Sequence, residues 1–442
     1  MRISKKIFIF LLSITVAMPV SCVKYFAVGS ESMGSGGRID LYKVGEWRNR
    51  IKTIKLSKNE WPNKLLFSPY GKYLACVVSA SKTVDGKKIV ENKKLVVYRT
   101  SKWQDKAWER YFERTYEDEI KSISFSSSGK LFAVGLKNKI IVFRKDKESS
   151  FVVKDVDVKE ITFIRDDYLA GLLHSKKKQI VRIWKTDSWG AVRDIPAYKQ
   201  KHQKMAGTTA IQSEGETVIK EFRPKGITVH KYKSAEESLE SGQPETFFKK
   251  GYQYGIMRSI TCSLKGDMAI TSDFTSSKGA YGDLVLYNTK NWQMGLRALG
   301  KRLATEYQLA TFSPSGKYIA LCLKVKTDIQ IVILSSKLQV LKRFYIRKDL
   351  KVKKKELTFF EPKQFAFSFD DKYLAFMAKT GATVNSYYIF RKTLILGKWE
   401  LEKKSTAGWY SAIAFSPEIR VGSIKSKKKK KKNGDIEEII KI

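Results

Sequence analysis

Residues 312–320 read FSPSGKYIA, and this stretch decides the fold. Three other segments nearly repeat it: FSPYGKYLA at 67–75, FSSSGKLFA at 125–133 and FSFDDKYLA at 367–375. Pro, Ser, Asp and Gly are turn residues, and a Gly-Lys or Asp-Lys step suits a tight hairpin. Each copy is therefore predicted to hold the end of one strand, a turn and the start of the next strand.

The copies recur along almost the whole chain. The spacing runs from 38 residues, between 125 and 163, to 58 residues, between 67 and 125. A third strand in each copy ends in an aromatic residue, as at Tyr98 and Phe143, and a Trp then opens a weaker fourth strand. Three or four short strands per 40–50-residue repeat are typical of propeller blades. Weaker or truncated copies lie around Phe163, Ile211, Cys262 and Phe415.

The repeated segments resemble the F-S-P-D-G-K-Y-L-A pattern of WD40-like propellers, including the Tol-type exported ones. The resemblance covers nearly all of the chain after residue 22. The sequence departs from true WD40 repeats because no Gly-His pair opens each blade, and Trp184 is followed by Lys185 where that family has Asp. The resemblance implies an all-β fold with a single β-propeller and says little about partners.

The number of blades follows from the repeat copies and from the two ends. Eight first-strand candidates predict about eight four-stranded blades, or seven if the degenerate stretch 205–250 is an insertion. The first copy begins with a second strand at 25–28, and the last supplies only a first strand at 412–415. Strands from both termini should therefore close the ring and remove its exposed sheet edges.

The N-terminus has the order of a secretory signal peptide. Arg2, Lys5 and Lys6 precede an apolar stretch from Ile7 to about Val20, which is short for a transmembrane helix. We expect three parts: a signal peptide at 1–22, a propeller at 23–424 and a lysine-rich disordered tail at 425–442. The predicted location is exported, either periplasmic or anchored in the bacterial envelope.

Cys22 is a candidate lipidation site. The segment Pro-Val-Ser-Cys at 19–22 resembles a loose bacterial lipobox, with Pro where Leu is expected and without the usual polar tether after the cysteine. Lipid attachment, simple cleavage and an uncleaved anchor stay open as alternatives. The other cysteines, Cys76, Cys262 and Cys322, lie in apolar strand patterns and are expected to be buried free thiols.

The charge of +41, from 85 basic and 44 acidic residues, favours anionic partners. Most of the 85 basic residues are lysines, with 66 Lys and 19 Arg. Proteins that recognise phosphate groups specifically rely instead on the bidentate guanidinium of Arg. A solvated lysine-rich surface, codon bias and a selected polyanion site are the alternatives. The candidate polyanion contacts are the lysines of one run: Lys427, Lys428, Lys429, Lys430, Lys431 and Lys432.

The sequence contains little that indicates catalysis. It has neither a G-x-S-x-G pentapeptide nor a C-x-x-C pair, and its three histidines offer little for a metal site. The acidic pairs at 166–167 and 370–371 fall in the inter-strand turns, where Asp has a structural use. We predict no enzyme activity, no catalytic residue, no metal and no cofactor.

The predicted function is a non-catalytic, exported β-propeller that binds protein partners or acts as a scaffold on a propeller rim, with a lipid anchor as an option. The loops predicted at 79–94, 272–282 and 190–250 are the candidate contact regions. The alternative is a basic protein that binds a polyanion, either nucleic acid or an anionic membrane surface; export would argue against nucleic acid. A third hypothesis is a propeller hydrolase, which would need a pair of carboxylates in the channel.

Overall fold

The computed structural model describes most of the chain. The described residues are 21–31, 36–85, 87–100, 108–144, 147–152, 157–174, 179–197, 207–213, 216–223, 226–232, 252–276, 279–289, 293–299, 306–325, 328–393 and 397–421. No helix in these ranges is long and apolar enough to span a membrane.

The N-terminal half supplies a short leading strand and the first four blades. The strands are Ser21–Val23 (β1), Tyr25–Ser30 (β2), Arg38–Lys43 (β3), Arg50–Lys55 (β4), Glu60–Phe67 (β5), Tyr73–Val84 (β6), Lys87–Arg99 (β7), Arg110–Thr115 (β8), Ser122–Phe125 (β9), Leu131–Gly135 (β10), Lys139–Arg144 (β11), Lys147–Val152 (β12), Asp157–Ile164 (β13), Tyr168–His174 (β14), Gln179–Lys185 (β15) and Ala191–Ala197 (β16).

The C-terminal half supplies an inserted sheet, three more blades and the closing strands. Its elements are Gly207–Ser213 (β17), Glu216–Arg223 (β18), Gly226–Tyr232 (β19), Tyr252–Cys262 (β20), Met268–Ser276 (β21), Gly279–Asn288 (β22), Gln293–Leu299 (β23), Glu306–Phe312 (β24), Tyr318–Val325 (β25), Asp328–Ser335 (β26), Val340–Tyr345 (β27), the helix Lys354–Leu357 (α1), Glu361–Phe367 (β28), Tyr373–Lys379 (β29), Asn385–Lys392 (β30), Trp399–Lys404 (β31), Tyr410–Phe415 (β32) and Ile419–Val421 (β33).

The described strands form seven antiparallel four-stranded blades in a single β-propeller. Blade 1 has the strand order β32-β2-β3-β4, and blades 2, 3 and 4 follow as β5–β8, β9–β12 and β13–β16. Blades 5, 6 and 7 are β20–β23, β24–β27 and β28–β31. The all-β propeller predicted from the repeat is confirmed.

Blade 1 confirms the predicted closure by strands from both ends of the chain. β32 pairs with β2 in register, with Phe26 opposite Phe415 and Ala27 opposite Ala414. The rings of Phe26 and Phe415 lie 4.8 Å apart, and Trp47 packs edge-on against Phe26. The last strand of the ring therefore joins the first strands through backbone hydrogen bonds and an aromatic core.

The preferred count of eight blades was wrong, and the alternative of seven is correct. The stretch around Ile211 forms a separate three-stranded sheet of β17, β18 and β19. Blades 4 and 5 meet directly, because the backbone N–H of Ile260 donates to the carboxylate of Glu160 at 2.9 Å. The stretch contains alternating strand residues but only three strands, which pair with one another and leave the ring unbroken.

The core lies between the blades. The described buried side chains form seven clusters, and each cluster joins two neighbouring blades. The Phe that ends a first strand contributes to this packing, as Phe67 and Phe367 do. Because a single sheet cannot bury both of its faces alone, the seven blades stabilise one another around the ring.

The two faces of the ring carry different connections. The turn face carries the turns between first and second strands, at 68–72, 126–130, 264–266, 313–317 and 368–372. The opposite face, here called the hairpin face, carries the second-to-third-strand hairpins and the connections between blades. Because β2 starts and β32 ends at the turn face, the chain also enters and leaves the ring there.

Candidate functional site

The axial channel is the candidate site because all seven blades contribute to it. A cavity of about 640 Å³ is lined by the first strands β5, β9, β13, β20, β24, β28 and β32. Its lining includes Lys64 from blade 2, Glu160 from blade 4 and Gln364 from blade 7. The aromatic residues Trp61 and Trp409 line the same cavity at the hairpin face.

The inner edge of each first strand has no strand beside it, because it faces the channel. Side chains of the preceding blade bind these backbone groups instead. The N–H of Phe163 donates to Ser124 Oγ at 3.0 Å, from blade 4 to blade 3. Gln364 of blade 7 donates to the carbonyl oxygen of Ile413 in blade 1 at 2.8 Å and accepts from its N–H at 3.0 Å. Unpaired backbone groups would otherwise face the channel at a cost in stability.

Two charged side chains take part in the same pattern. Lys64 Nζ donates to the carbonyl oxygen of Lys121 in the next blade. Glu160 accepts the N–H of Ile260 from blade 5 at 2.9 Å. Lys64 and Glu160 come from blades 2 and 4, with blade 3 between them, and each reaches a backbone group of the next blade.

Burial shifts the protonation equilibria of both side chains. Burial lowers the pKa of Lys64, and the neighbouring charges of Glu160 and Lys121 change that pKa in opposite directions. Burial raises the pKa of Glu160, while the Ile260 N–H and the charge of Lys64 oppose the rise. The channel therefore penalises both charged forms, as low-dielectric surroundings do.

Ion pairs of one geometry lie at the channel mouth on the hairpin face in three of the seven blades. Six first strands carry a β-bulge four residues before the last core position, which is the repeated Phe or the residue in its place. The bulge between Val158 and Glu160 and the one between Pro362 and Gln364 are examples. In three blades a lysine four residues before that core position pairs with a carboxylate two residues earlier; blades 4 and 7 carry the bulge there, and blade 3 does not. The pairs are Lys121–Glu119, Lys159–Asp157 at 2.5 Å and Lys363–Glu361 at 2.7 Å.

The mouth has a different, aromatic sector in blades 1 and 2. Trp409 and Trp61 occupy the positions at which blades 3, 4 and 7 carry those carboxylates, and Ser411 and Asn63 stand where those blades have the lysines. Trp409 is 38% exposed. These two blades are neighbours, so the mouth has one aromatic arc, in which Glu31 also lines the cavity.

The turn face is held together by contacts between neighbouring turns. Ser128 of blade 3 donates through its N–H and its hydroxyl to Asp166 of blade 4, at 3.0 and 2.8 Å. Lys24, just before β2, pairs with Asp370 of blade 7 at 2.7 Å. The structural role predicted for the acidic pairs is therefore observed at both sites.

The predicted site residues lie at or beyond the edge of the described chain. Cys22 is in β1, which pairs with β33 so that Cys22 faces Arg420 across the strands. Residues 1–20 and the run Lys427–Lys432 lie outside the described residues. Cys76 and Cys322 are buried thiols as expected, and Cys262 is half-buried.

Two segments predicted as loops are regular strands instead. The segment 79–94 forms the far parts of β6 and β7, and 272–282 forms parts of β21 and β22. β-branched residues such as Thr83, Ile89 and Val90 favour the extended pairing. Of the third region, 190–250, the described parts are the end of blade 4 and the inserted sheet.

The sequence reasoning missed Lys64 and Glu160. Both hold the same place in the repeat, three residues before the repeated Phe of the first strand, where Ser122 and Gln364 also lie. Aligning the copies at that residue would have shown a polar position inside an apolar strand. That position marks the contact with the next blade.

Comparison with solved structures gives the same fold. Periplasmic gluconolactonase PpgL of Pseudomonas aeruginosa is similar at a TM-score of 0.50 and 13% identity, over 89% of this chain and 99% of that chain. The β-propeller domain of Myceliophteria thermophila Cps50 (Swd1) gives 0.47 and 14%, over 81% and 88%. Kuenenia stuttgartiensis hydrazine synthase gives 0.47 and 12%, over 80% and 89%. No protein-family model matches the sequence, and no curated protein matches it.

Proposed function

We propose that this protein is a non-catalytic, exported β-propeller that binds a protein partner through its hairpin face. The observation that carries the proposal is the extended hairpin of blade 2. β6 has 12 residues and β7 has 13, whereas β10 and β11 of blade 3 have five and six. The hairpin therefore extends well beyond its neighbour on the hairpin face.

The extended part of the hairpin exposes apolar side chains. Val84, Ile89 and Val90 are 39%, 40% and 46% exposed. Val84 and Ile89 lie on one face of the hairpin and Val90 on the other, because Ile89 pairs with Lys82 and Val90 with Ser81. Exposed aliphatic side chains on a paired, regular hairpin are typical of a protein-contact surface.

The exposed Lys82 pairs with Glu91 at 2.9 Å, and both Asp85 and Lys87 are exposed. Residues 82–93 contain four lysines and two carboxylates, so the surroundings are net basic. A partner with an apolar patch and an acidic rim fits this surface.

The non-catalytic part of the proposal is supported by the channel. Lys64 and Glu160 each bind a backbone group of the next blade. These contacts give the two charged side chains a structural use in holding blades together. We therefore assign them to blade packing rather than to a reaction.

The test is site-specific photo-crosslinking in cells. A photoreactive amino acid at Ile89 should give a crosslinked protein adduct, and Val84→Ser with Val90→Ser should remove that adduct. The control carries the same photoreactive group at Ile51, an exposed residue of an outer strand in blade 1. Equal adducts at both positions, or none at Ile89, would exclude the hairpin as the contact surface.

We also propose that the chain is exported, with Cys22 as a lipid anchor at the turn face. The cationic start, the apolar stretch and the resemblance to Tol-type WD40-like propellers support this proposal. The test is the intact mass of the mature protein, together with cell fractionation. A mass starting at an acylated Cys22 in the membrane fraction is expected. An unprocessed Met1 in the cytosolic fraction would overturn export.

A further inference from the structure

We propose that the turn face is a docking surface for an anionic phospholipid bilayer, a role beyond the proposed binding of a protein partner at the opposite face. The surface is built from the turns that follow the first strands. Five of the seven blades carry an exposed lysine in this turn. They are Lys72, Lys130, Lys265, Lys317 and Lys372.

The propeller topology places these lysines on one face. Every first strand runs in the same direction along the axis, so all first turns end at the same side of the ring. Contacts between turns confirm that they adjoin: Ser128 binds Asp166, and the N–H of Leu264 donates to the carbonyl oxygen of Pro314 at 3.1 Å. The five ammonium groups are therefore distributed around a ring and not along one strand.

The carboxylates of this face are largely engaged within it. Asp166 and Asp371 accept hydrogen bonds from serines of neighbouring turns, and Asp370 pairs with Lys24. Asp167 and Asp267 are the exposed carboxylates of the described first turns. Five exposed lysines against two carboxylates give these first turns a net positive charge, which attracts an anionic surface.

The chemistry of the face favours lipid over nucleic acid. The exposed cations of its first turns are lysines, which act as point charges and lack the bidentate geometry of arginine, although Arg48 is exposed in a third-to-fourth-strand turn on the same side. Two of the turns also expose apolar or amphipathic side chains, Tyr70 at 65% and Leu264 at 37%. Tyr at a membrane interface can place its ring among the headgroups while its hydroxyl stays wet.

Both ends of the chain join the ring on this face. β1, with Cys22, and β33 pair with each other beyond the turn-face ends of β2 and β32. The 21 residues after Val421, with the run 427–432, continue from there. A cysteine-linked lipid and a polybasic segment would therefore act on the same side as the lysine ring, and such signals reinforce one another.

The experiment measures binding to vesicles with the full chain carrying Cys22→Ser, so that no acyl group is attached. One vesicle set is pure phosphatidylcholine, and the other contains about a third phosphatidylglycerol. The readout is the ratio of the two partition coefficients. Neutral vesicles report the contribution of the N-terminal apolar stretch, which all variants share.

The test variant replaces the five turn-face lysines by Gln, and the ratio should fall at least about tenfold. A milder variant, Lys72→Gln with Lys372→Gln, should give an intermediate ratio and covers the case in which five changes impair folding. The matched control replaces five exposed lysines of the hairpin face and its adjoining strand end by Gln, and should keep the ratio within about twofold. The control residues are Lys55, Lys58, Lys87, Lys137 and Lys348.

Three results would overturn the proposal. The first is an equal fall in the ratio for the control set, which would mean that only total charge matters. The second is full loss of the anionic preference on replacing Lys427–Lys432 by Ser, while the turn-face variants keep it. The third is a duplex DNA affinity that the turn-face changes abolish while vesicle binding stays unchanged.

Discussion

At the scale of single residues, charge and hydrogen bonding decide which polar groups the interior accepts. Glu160 and Lys64 sit in the wall of the channel because each reaches an unpaired backbone group of the next blade. Asp166 shows the opposite balance on the turn face. Burial raises its pKa, but hydrogen bonds from Ser126 and Ser128 outweigh burial, so its pKa lies below the ordinary value.

Replacing Glu160 by Gln should stabilise the protein above neutral pH. Burial raises the pKa of Glu160 in the folded protein, so folding favours the protonated form and stability falls as the pH rises above the unfolded value near 4.5. Gln keeps an acceptor for the Ile260 N–H without the charge. We expect a melting temperature higher by about 2 °C at pH 8 and no difference below pH 4.5.

The matched control for that measurement is Glu361→Gln at the channel mouth. The Glu361 side chain is 59% exposed and pairs with Lys363, so its loss should change the melting temperature very little. A Glu160→Gln protein that melts at a lower temperature than the wild type at pH 8 would show that the charge of Glu160 stabilises the ring.

At the scale of the element, the turn after each first strand is set by backbone geometry. Gly71, Gly129 and Gly316 have φ of 66°, 64° and 74°, in the left-handed region that glycine adopts without strain. Asp371 takes the same place in blade 7 with φ of 57°. The repeated Gly-Lys and Asp-Lys steps in the sequence thus predicted the turns correctly.

Gly316→Val should destabilise the protein by about 2 kcal/mol or more. The new side chain would occupy a positive φ, and its Cβ would lie 2.9 Å from Asp267 Oδ2 of the neighbouring turn. Gly190→Val is the control, because the nearest atom to a Cβ there is 3.6 Å away. Thermal unfolding compares the two variants. Equal melting temperatures for both would argue against the turn as a fixed part of the repeat.

The hairpins were harder to predict than the turns. The repeat pattern marks where a second strand begins, but not how far it continues past the ring. Lys82 to Val84 and Lys87 to Val90 pair as regular strands because their β-branched residues suit extended backbone even outside the core. A prediction of a loop between the second and third strands of a blade therefore underestimates the length of those strands.

At the scale of the whole molecule, the repeat predicted the ring and its closure, and the blade count was the part that failed. The closure was visible because the first copy lacks a first strand and the last copy has only that strand. The count failed because 207–232 has strand-forming residues in a plausible place. Only the direct contact of blade 4 with blade 5 shows that this sheet stands outside the ring.

Closure can be tested by two truncations. Removing 422–442 should leave the melting temperature unchanged, because the ring ends before those residues. Removing 410–442 also deletes β32, which exposes the inner edge of β2 and opens the packing of Phe26 and Trp47. We expect that chain to unfold at least about 10 °C lower or to aggregate. Equal melting temperatures for the two truncated proteins would mean that β32 does not hold the ring.

The contacts along the channel all run in one sense around the axis. In each of them, a side chain of one blade binds the backbone of the blade that follows, as Ser124 binds Phe163 and Gln364 binds Ile413. In the described residues, blades 2, 3, 4, 5 and 7 each bind the backbone of the blade that follows in this way. A ring built from such blades can gain or lose a complete repeat without a new kind of contact between blades. The number of repeat copies, and not any one interface, therefore sets the number of blades.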